Sequence, residues 1–487
     1  MSAAASSDNK PEGLPRSRAI GLILGSLFLL MTLVIPAPEG MGAEAWAALG
    51  LMLLMATWWS TEAIPIPATA LVPIVLIPAL GLGSIKDATT PYANPIIFLF
   101  LGGFTLGLAM QRWNLHRRIA LLTLRGMGDK PRRQIAGFMI ATAFLSMWVS
   151  NTATSIMMLP IGLSVIAMMD SSNQDGIRRY ATALLLAIAY SASIGGIATL
   201  IGTPPNALLA AYLSENQGIS VGFGQWMLLG VPVSLTMLLL AWWWLTRKDF
   251  ELGSQAGSGE MIRDELKALG PLQKAEKLVA LVFVVTAAAW IFRPLLADSL
   301  MPWLSDTGIA IAAAIAMFLI PVDLKEREFV LDWETAQGIP WGVLLLFGGG
   351  LAMAGVISSS GLAEWIAESL SVAGHLPALA MIALVVGVII FLTEVTSNTA
   401  TAAAFLPLLG ALAMSQDMAV LLLTVPAAIA ASCAFMMPVA TPPNAIVFSS
   451  GHMRIQDMIR AGFALNILGI VVVTALTYLL LGLVFTM

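Results

Sequence analysis

Two short motifs each occur twice in this sequence. Ser150-Asn151-Thr152 recurs as Ser397-Asn398-Thr399, an offset of 247 residues, and Thr203-Pro204-Pro205-Asn206-Ala207 recurs as Thr441-Pro442-Pro443-Asn444-Ala445, an offset of 238. The 247 offset also carries Gly102-Gly103 onto Gly349-Gly350 and Ser146 onto Thr393. Ser, Asn and Thr are strong helix N-caps, so each Ser-Asn-Thr can end one short helix and begin the next. A proline pair cannot continue a helix from its N-terminal side, yet proline suits the first turn of a new one. Each of the four places therefore leaves unpaired N–H and C=O groups beside hydroxyl and amide oxygens. Four helix N-termini converging on one point would bring on the order of +2 charges, which favours an anion. The hydroxyl, amide and carbonyl oxygens, with uncoiled backbone near Ser146, Gly202, Thr393 and Ala440, suit a hard cation such as Na⁺. A single such motif is ordinarily a cap or a kink; two motifs repeated in the same order point to a site.

The elements that must hold these motifs are set by composition. The chain has 487 residues, 58% of them hydrophobic and 11% charged, against about 25% charged in soluble domains. An apolar excess of that size exceeds what soluble cores can hide, so an all-α polytopic membrane protein is expected. Apolar runs begin at 20–35, expected as an uncleaved first span, and recur to 461–486. Two of them, 134–168 and 377–413, are too long for one span and too short for two. A re-entrant hairpin fits each, with its turn buried in protein or lining a polar cavity. The expectation is about 11 transmembrane helices plus two re-entrant hairpins. Its parts are a cytoplasmic tail (1–18), a first repeat (19–246), a linker (247–277) and a second repeat (278–487). With a cytoplasmic N-terminus this layout puts 22 of the 24 Lys and Arg residues on the cytoplasmic side, leaving Lys86 and Arg293 outside, as the positive-inside rule requires. The two hairpins then open to opposite sides, so the halves form an inverted repeat. Inverted repeats with interrupted helices are the architecture of secondary transporters, with substrate near the bilayer midplane.

Charge narrows the chemistry further. No Lys or Arg occurs in 134–177, 180–246 or 328–453, the segments that hold all four motifs. An anion there must be balanced by helix termini, hydroxyls, amides and co-bound cations, and ion and substrate would stabilise one another. A net charge of −4 gives no basis for a nucleic-acid partner, and the single cysteine, Cys433, excludes an intrachain disulfide. The three histidines lie far apart, so no local spacing suggests a catalytic metal. Glu394, beside the second Ser-Asn-Thr, is the deepest carboxylate and stands open between a structural hydrogen-bonder and a cation-linked group. Glu62 reads as a cap or turn, and Trp242-Trp243-Trp244 as an interfacial belt.

At these motifs the chain resembles the divalent-anion/sodium symporter family, which includes the INDY-type dicarboxylate transporters, over nearly its whole length. The resemblance implies a homodimer working as an elevator. Spans 1–4 and 7–9 would form a scaffold, with a mobile unit made of the hairpins and spans 5, 6, 10 and 11, joined by amphipathic arms at 112–130 and 358–374. Carried over by motif, Asn151, Thr152, Asn398 and Thr399 would hold substrate carboxylates, with Thr203 and Pro442 nearby. One Na⁺ site would use Ser146, Ser150, Asn151 and Gly202, and the other Thr393, Ser397, Asn398 and Ala440. The function expected is Na⁺-coupled symport of C4-dicarboxylates (succinate, fumarate, malate) with at least two co-transported ions, by a multi-pass protein of the cell inner (plasma) membrane. Membrane lipid is its surroundings, and no enzymatic activity is expected. A sodium-independent di- or tricarboxylate exchanger, a sulfate carrier of the same family, and an anion channel are the alternatives.

Overall fold

The computed structural model describes residues 16–169, 173–252, 258–299, 301–371 and 376–485. It is helical, apart from a two-stranded antiparallel hairpin pairing Pro321–Asp323 with Glu328–Phe329. Eight described helices are long and apolar enough to cross a membrane, and five shorter apolar helices accompany them. The eleven full spans expected from hydropathy do not map one-to-one onto these helices, because several apolar runs are cut where the motifs fall. Buried residues from both halves join one continuous apolar core. Large side chains nevertheless stand exposed around the outside, among them Ile23, Val75, Leu281, Leu319, Leu479 and Leu483. An apolar exterior on this scale needs lipid against it.

Each of the two runs expected as a hairpin holds a pair of helices joined by a short turn. The first is Pro131–Ser146 followed by Asn151–Ala167, and the second Ala378–Thr393 followed by Asn398–Ser415. Each second helix starts at the Asn of Ser-Asn-Thr, with Ser150 or Ser397 as N-cap. The Thr-Pro-Pro-Asn motifs also interrupt helices. Gln174–Ile197 gives way to Pro204–Gln217, and Leu421–Ala431 to Pro442–Phe448, with Thr203 and Thr441 as extended N-caps. The second interruption, 432–441, is longer than the first, 198–203.

The expected arms are helices at Leu115–Met127 and Leu362–Ser371; residues 372–374 of the second lie outside the described residues. Leu362, the first residue of the second arm, is buried. The first arm is tied down by Arg118, whose guanidinium holds both carboxylate oxygens of Glu276 (2.7 and 3.0 Å). The carbonyls of Leu269, Gly270 and Pro271 take further N–H bonds from it. A buried ion pair is tolerable only when its remaining donors are satisfied in this way. The tail (1–18) and linker (247–277) fall partly outside the described residues. The described part of the linker is not purely irregular, since it holds the helix Ser258–Ala268. Glu62 ends the helix Ala43–Thr61 in a left-handed conformation (φ 48°), the turn role expected of it.

Candidate functional site

The first half of the site is built around the turn of the first hairpin. Ser150 Oγ accepts from Ala153 N (3.2 Å), which caps the new helix and fixes where Asn151 emerges. Thr199 Oγ1 donates to Met147 O (2.5 Å), joining the unwound segment 198–203 to the hairpin turn. Asn206 Nδ2 donates to Gly196 O, Ile197 O and Thr199 O (3.3, 3.3 and 2.8 Å), so the motif's Asn stitches together the carbonyls that the proline break leaves open. Between these pieces sits the Asn151 amide. Its outer atom lies 2.5 Å from Ser146 Oγ, 3.2 Å from Ala192 O and 3.2 Å from Gly202 O. Turned one way, the amide nitrogen donates to all three. Turned the other, the amide oxygen completes a cluster of four oxygens of the kind a hard cation binds, with the Ser146 hydroxyl as its one hydrogen-bond donor. Gly196 leaves this space open: a Cβ there would lie 2.8 Å from Gly202 O and 2.9 Å from Asn151 Oδ1.

The second half repeats the plan. Thr393 Oγ1, at the position matching Ser146, lies 2.8 Å from Asn398 Oδ1 and 3.1 Å from Ala431 O. Asn444 Nδ2 donates to Ala434 O and Met437 O (3.1 and 3.0 Å). The 238 offset maps these two carbonyls onto those of Gly196 and Thr199. The halves differ at Glu394, whose counterpart is Met147. Its carboxylate accepts from three consecutive backbone N–H groups, Phe435 (2.7 Å), Met436 (2.9 and 3.0 Å) and Met437 (3.0 Å), and from Asn466 Nδ2 (2.7 Å). Glu394 is therefore a structural clamp. It satisfies donors freed by the longer unwinding at 432–441, which would otherwise be buried without partners.

The residues expected from sequence fall into three groups. Ser146, Asn151 and Gly202 come together, as do Thr393 and Asn398. Among the described residues, no hydrogen bond joins Ser397 or Ala440 to the second cluster, and Ser150 serves as a cap. Asn151, Thr152, Asn398 and Thr399 are half-buried, and the hydroxyls of Thr152 and Thr399 have no hydrogen-bond partner among the described residues. Pro442 is exposed, whereas Thr203 is buried with its Oγ1 3.3 Å from Ser432 Oγ. That contact joins the first Thr-Pro-Pro-Asn to the second unwound segment. Tyr190 Oη, donating to Phe435 O (2.9 Å), makes a second such link. The helix Asn151–Ala167 packs on Pro442–Phe448, and Asn398–Ser415 on Pro204–Gln217, so each hairpin leans on the other half's broken helix. Ala192 O, Ala431 O, Gly196 and Ser432 escaped the sequence reading. Carbonyls carry no side-chain signature, and Ser432 has no counterpart in the repeat. Among the described residues no group of three His, Cys, Asp or Glu could hold a metal. A cation in either cluster would rest on neutral oxygens.

A helical, lipid-exposed chain with paired broken helices around a neutral, oxygen-lined centre is a polytopic membrane transport protein. Over residues 16–486 it matches the model of the sodium:sulfate symporter transmembrane region, and it belongs to that family. It is 43% identical over 474 residues to the sodium-dependent dicarboxylate transporter SdcS of Staphylococcus saprophyticus, covering 95% of this chain and 91% of that one. It is 42% identical over 492 residues to SdcS of Staphylococcus aureus, covering 98% and 94%. Two solved structures share the fold. MtrF of Neisseria gonorrhoeae, described with a class of antimetabolite efflux pumps, has a TM-score of 0.57 at 14% identity, covering 96% of this chain and 95% of that one. The YdaH transporter of Alcanivorax borkumensis has a TM-score of 0.59 at 13% identity, covering 96% and 99%.

Proposed function

We propose that this protein is a sodium-coupled symporter of C4-dicarboxylates such as succinate, fumarate and malate. The observation that carries the reading is the Asn151 amide set against three converging neutral oxygens, Ser146 Oγ, Ala192 O and Gly202 O, which the amide can cap with its nitrogen or, with a cation bound, join with its oxygen. Thr393, Asn398 and Ala431 O form its counterpart. Two such clusters argue for at least two Na⁺ ions per cycle. Thr152 and Thr399, with hydroxyls free to donate, stand beside the two Asn residues at helix N-termini and would receive the substrate carboxylates. With no Lys or Arg in these segments, bound Na⁺ offsets the dianion's charge, and this mutual stabilisation is the physical basis of coupling. The names of the relatives support dicarboxylate as cargo. The family's description keeps sulfate as the second reading.

The same proposal covers the membrane arrangement. Two re-entrant hairpins among eleven spans, inverted between the halves, fit the helix breaks and the positive-inside count. The N-terminus is cytoplasmic, and the protein lies in the inner (plasma) membrane as a homodimer. The hairpins and broken helices move as an elevator against a scaffold that the Arg118–Glu276 pair anchors to the first arm. The test is initial uptake of labelled succinate into proteoliposomes with and without a Na⁺ gradient. Steep, sigmoidal Na⁺ dependence is expected. Full activity in sodium-free buffer with succinate inside would assign the protein to the exchangers, and preference for labelled sulfate to the second reading.

A further inference from the structure

Away from the oxygen clusters, a cavity of about 730 Å³ opens where three helices end: the N-termini of Gln174–Ile197 and Ile455–Val484 and the C-terminus of Phe223–Thr246. Its rim carries six cationic side chains and four carboxylates. The carboxylates are partly committed: Asp457 lies near Arg178 (3.9 Å) and Arg454 (3.4 Å), and Glu251 near Arg179 (3.3 Å). Arg247, Lys248 and Arg460 have no ion-pair partner among the described residues. Arg247 instead lies 3.4 Å over the ring of Trp244. Two helix N-termini add their positive ends to the excess. The floor is apolar, with Ala183, Leu186, Leu245 and Ala461.

The two helices that bring in the uncommitted arginines pack side by side, and each presents an exposed apolar stripe that ends at its arginine. On Phe223–Thr246 the stripe is Leu228, Leu235, Leu239 and Trp243, spaced 7, 4 and 4 residues, and Arg247 follows four residues on. On Ile455–Val484 it is Phe463, Ile467, Val471 and Tyr478, with Arg460 one turn before the first. Residues three, four and seven apart share a helix face, so both guanidiniums crown exposed apolar surfaces of the kind acyl chains cover. Trp242-Trp243-Trp244 sets the level, since tryptophan concentrates where hydrocarbon meets headgroup.

We propose that this basin binds the phosphate-bearing headgroup of an anionic phospholipid, with Arg247 and Arg460 on the phosphate and the acyl chains along the two stripes. A soluble phosphate would use the charge but not the stripes, which is why the lipid is the occupant that fits. A basic pocket between transmembrane helix ends is the form such sites take. The assignment does not depend on what the protein transports.

The test is native mass spectrometry and thermal unfolding of the full-length protein in detergent. Cardiolipin, phosphatidylglycerol or phosphatidylcholine is added, with inorganic pyrophosphate as a separate arm. The anionic lipids should be retained and should raise the melting temperature, phosphatidylcholine far less. Arg247→Gln with Arg460→Gln should cut retention roughly thirtyfold, at about 1 kcal/mol for each basic side chain near the surface. Lys325→Gln, an exposed basic residue on the 321–329 hairpin, should leave retention unchanged. Arg460→Gln alone, on the exposed end of one helix, serves if the double variant misfolds, and should cut retention severalfold. Equal retention of phosphatidylcholine, or undiminished lipid binding by the variants, would overturn the proposal. Stabilisation by pyrophosphate equal to that by lipid would overturn the lipid assignment and leave a soluble phosphate site.

Discussion

Replacing Gly196 with alanine separates the cation reading from a purely structural one. The new Cβ would lie 2.8 Å from Gly202 O and 2.9 Å from Asn151 Oδ1, inside the 3.0 Å that real contacts respect. One of these oxygens must move, and both belong to the proposed Na⁺ cage. Small-to-large changes in a packed site cost about 1–3 kcal/mol, which amounts to roughly a 5- to 150-fold loss of Na⁺ affinity if the cage bears it. Folding should not suffer in proportion. Gly196 lies in the last turn of Gln174–Ile197, where alanine in place of glycine returns up to about 0.5–1 kcal/mol of backbone entropy. The position matching Gly196 in the second half is Ala434, so the effect should be confined to one of the two ions. The assay is succinate uptake against Na⁺ concentration in proteoliposomes, paired with thermal unfolding with and without Na⁺. A raised half-saturating Na⁺ with a near-native melting temperature in sodium-free buffer is expected. An unchanged Na⁺ curve would refute the cage at Asn151.

Three further outcomes follow from the same geometry. Asn151→Ala and Asn398→Ala should each abolish succinate transport and weaken Na⁺-induced thermal stabilisation while leaving the protein folded; normal uptake by either variant would remove that Asn from the site. Glu394→Gln keeps one oxygen and turns an NH₂ toward backbone donors, stranding at least the Met437 N–H now held by Oε2. At about 1.5–3 kcal/mol per bond to a charged group, it should lower the melting temperature and the maximal rate without altering the cooperativity of Na⁺. A Hill coefficient falling to one would instead make Glu394 an ion ligand. Finally, a site of neutral oxygens and helix N-termini favours the fully ionised substrate, so uptake at fixed total succinate should fall with pH as the dianion is protonated. A rate that tracked the monoanion across a pH series would contradict this.

Much of this protein was legible in one dimension because its chemistry is carried by backbone breaks, and breaks have sequence signatures. Ser150 and Ser397 announce N-caps, the proline pairs at 204–205 and 442–443 announce interruptions, and their duplication announces two related halves. The absence of Lys and Arg around them, and the apolar bulk elsewhere, were enough to identify a membrane protein and to propose a neutral anion-and-cation site within it. What the sequence could not supply was which carbonyls turn toward those side chains. Ala192 O and Ala431 O lie about 40 residues from the hydroxyls they meet and belong to helices whose residue types are unremarkable. The family resemblance implied ion-site roles for Ser397 and Ala440, neither of which hydrogen-bonds to the Thr393–Asn398 pair among the described residues, and Glu394 and the longer break at 432–441 shape the second half differently from the first. The role of Glu394 itself was undecidable from its position, since a buried carboxylate beside a motif can bind an ion or satisfy a backbone. Only the packed structure, which brings the N–H groups of Phe435, Met436 and Met437 onto it, decided that. Caps and prolines act through local dihedral angles, whereas a clamp between segments 40 residues apart exists only once the helices between them have packed.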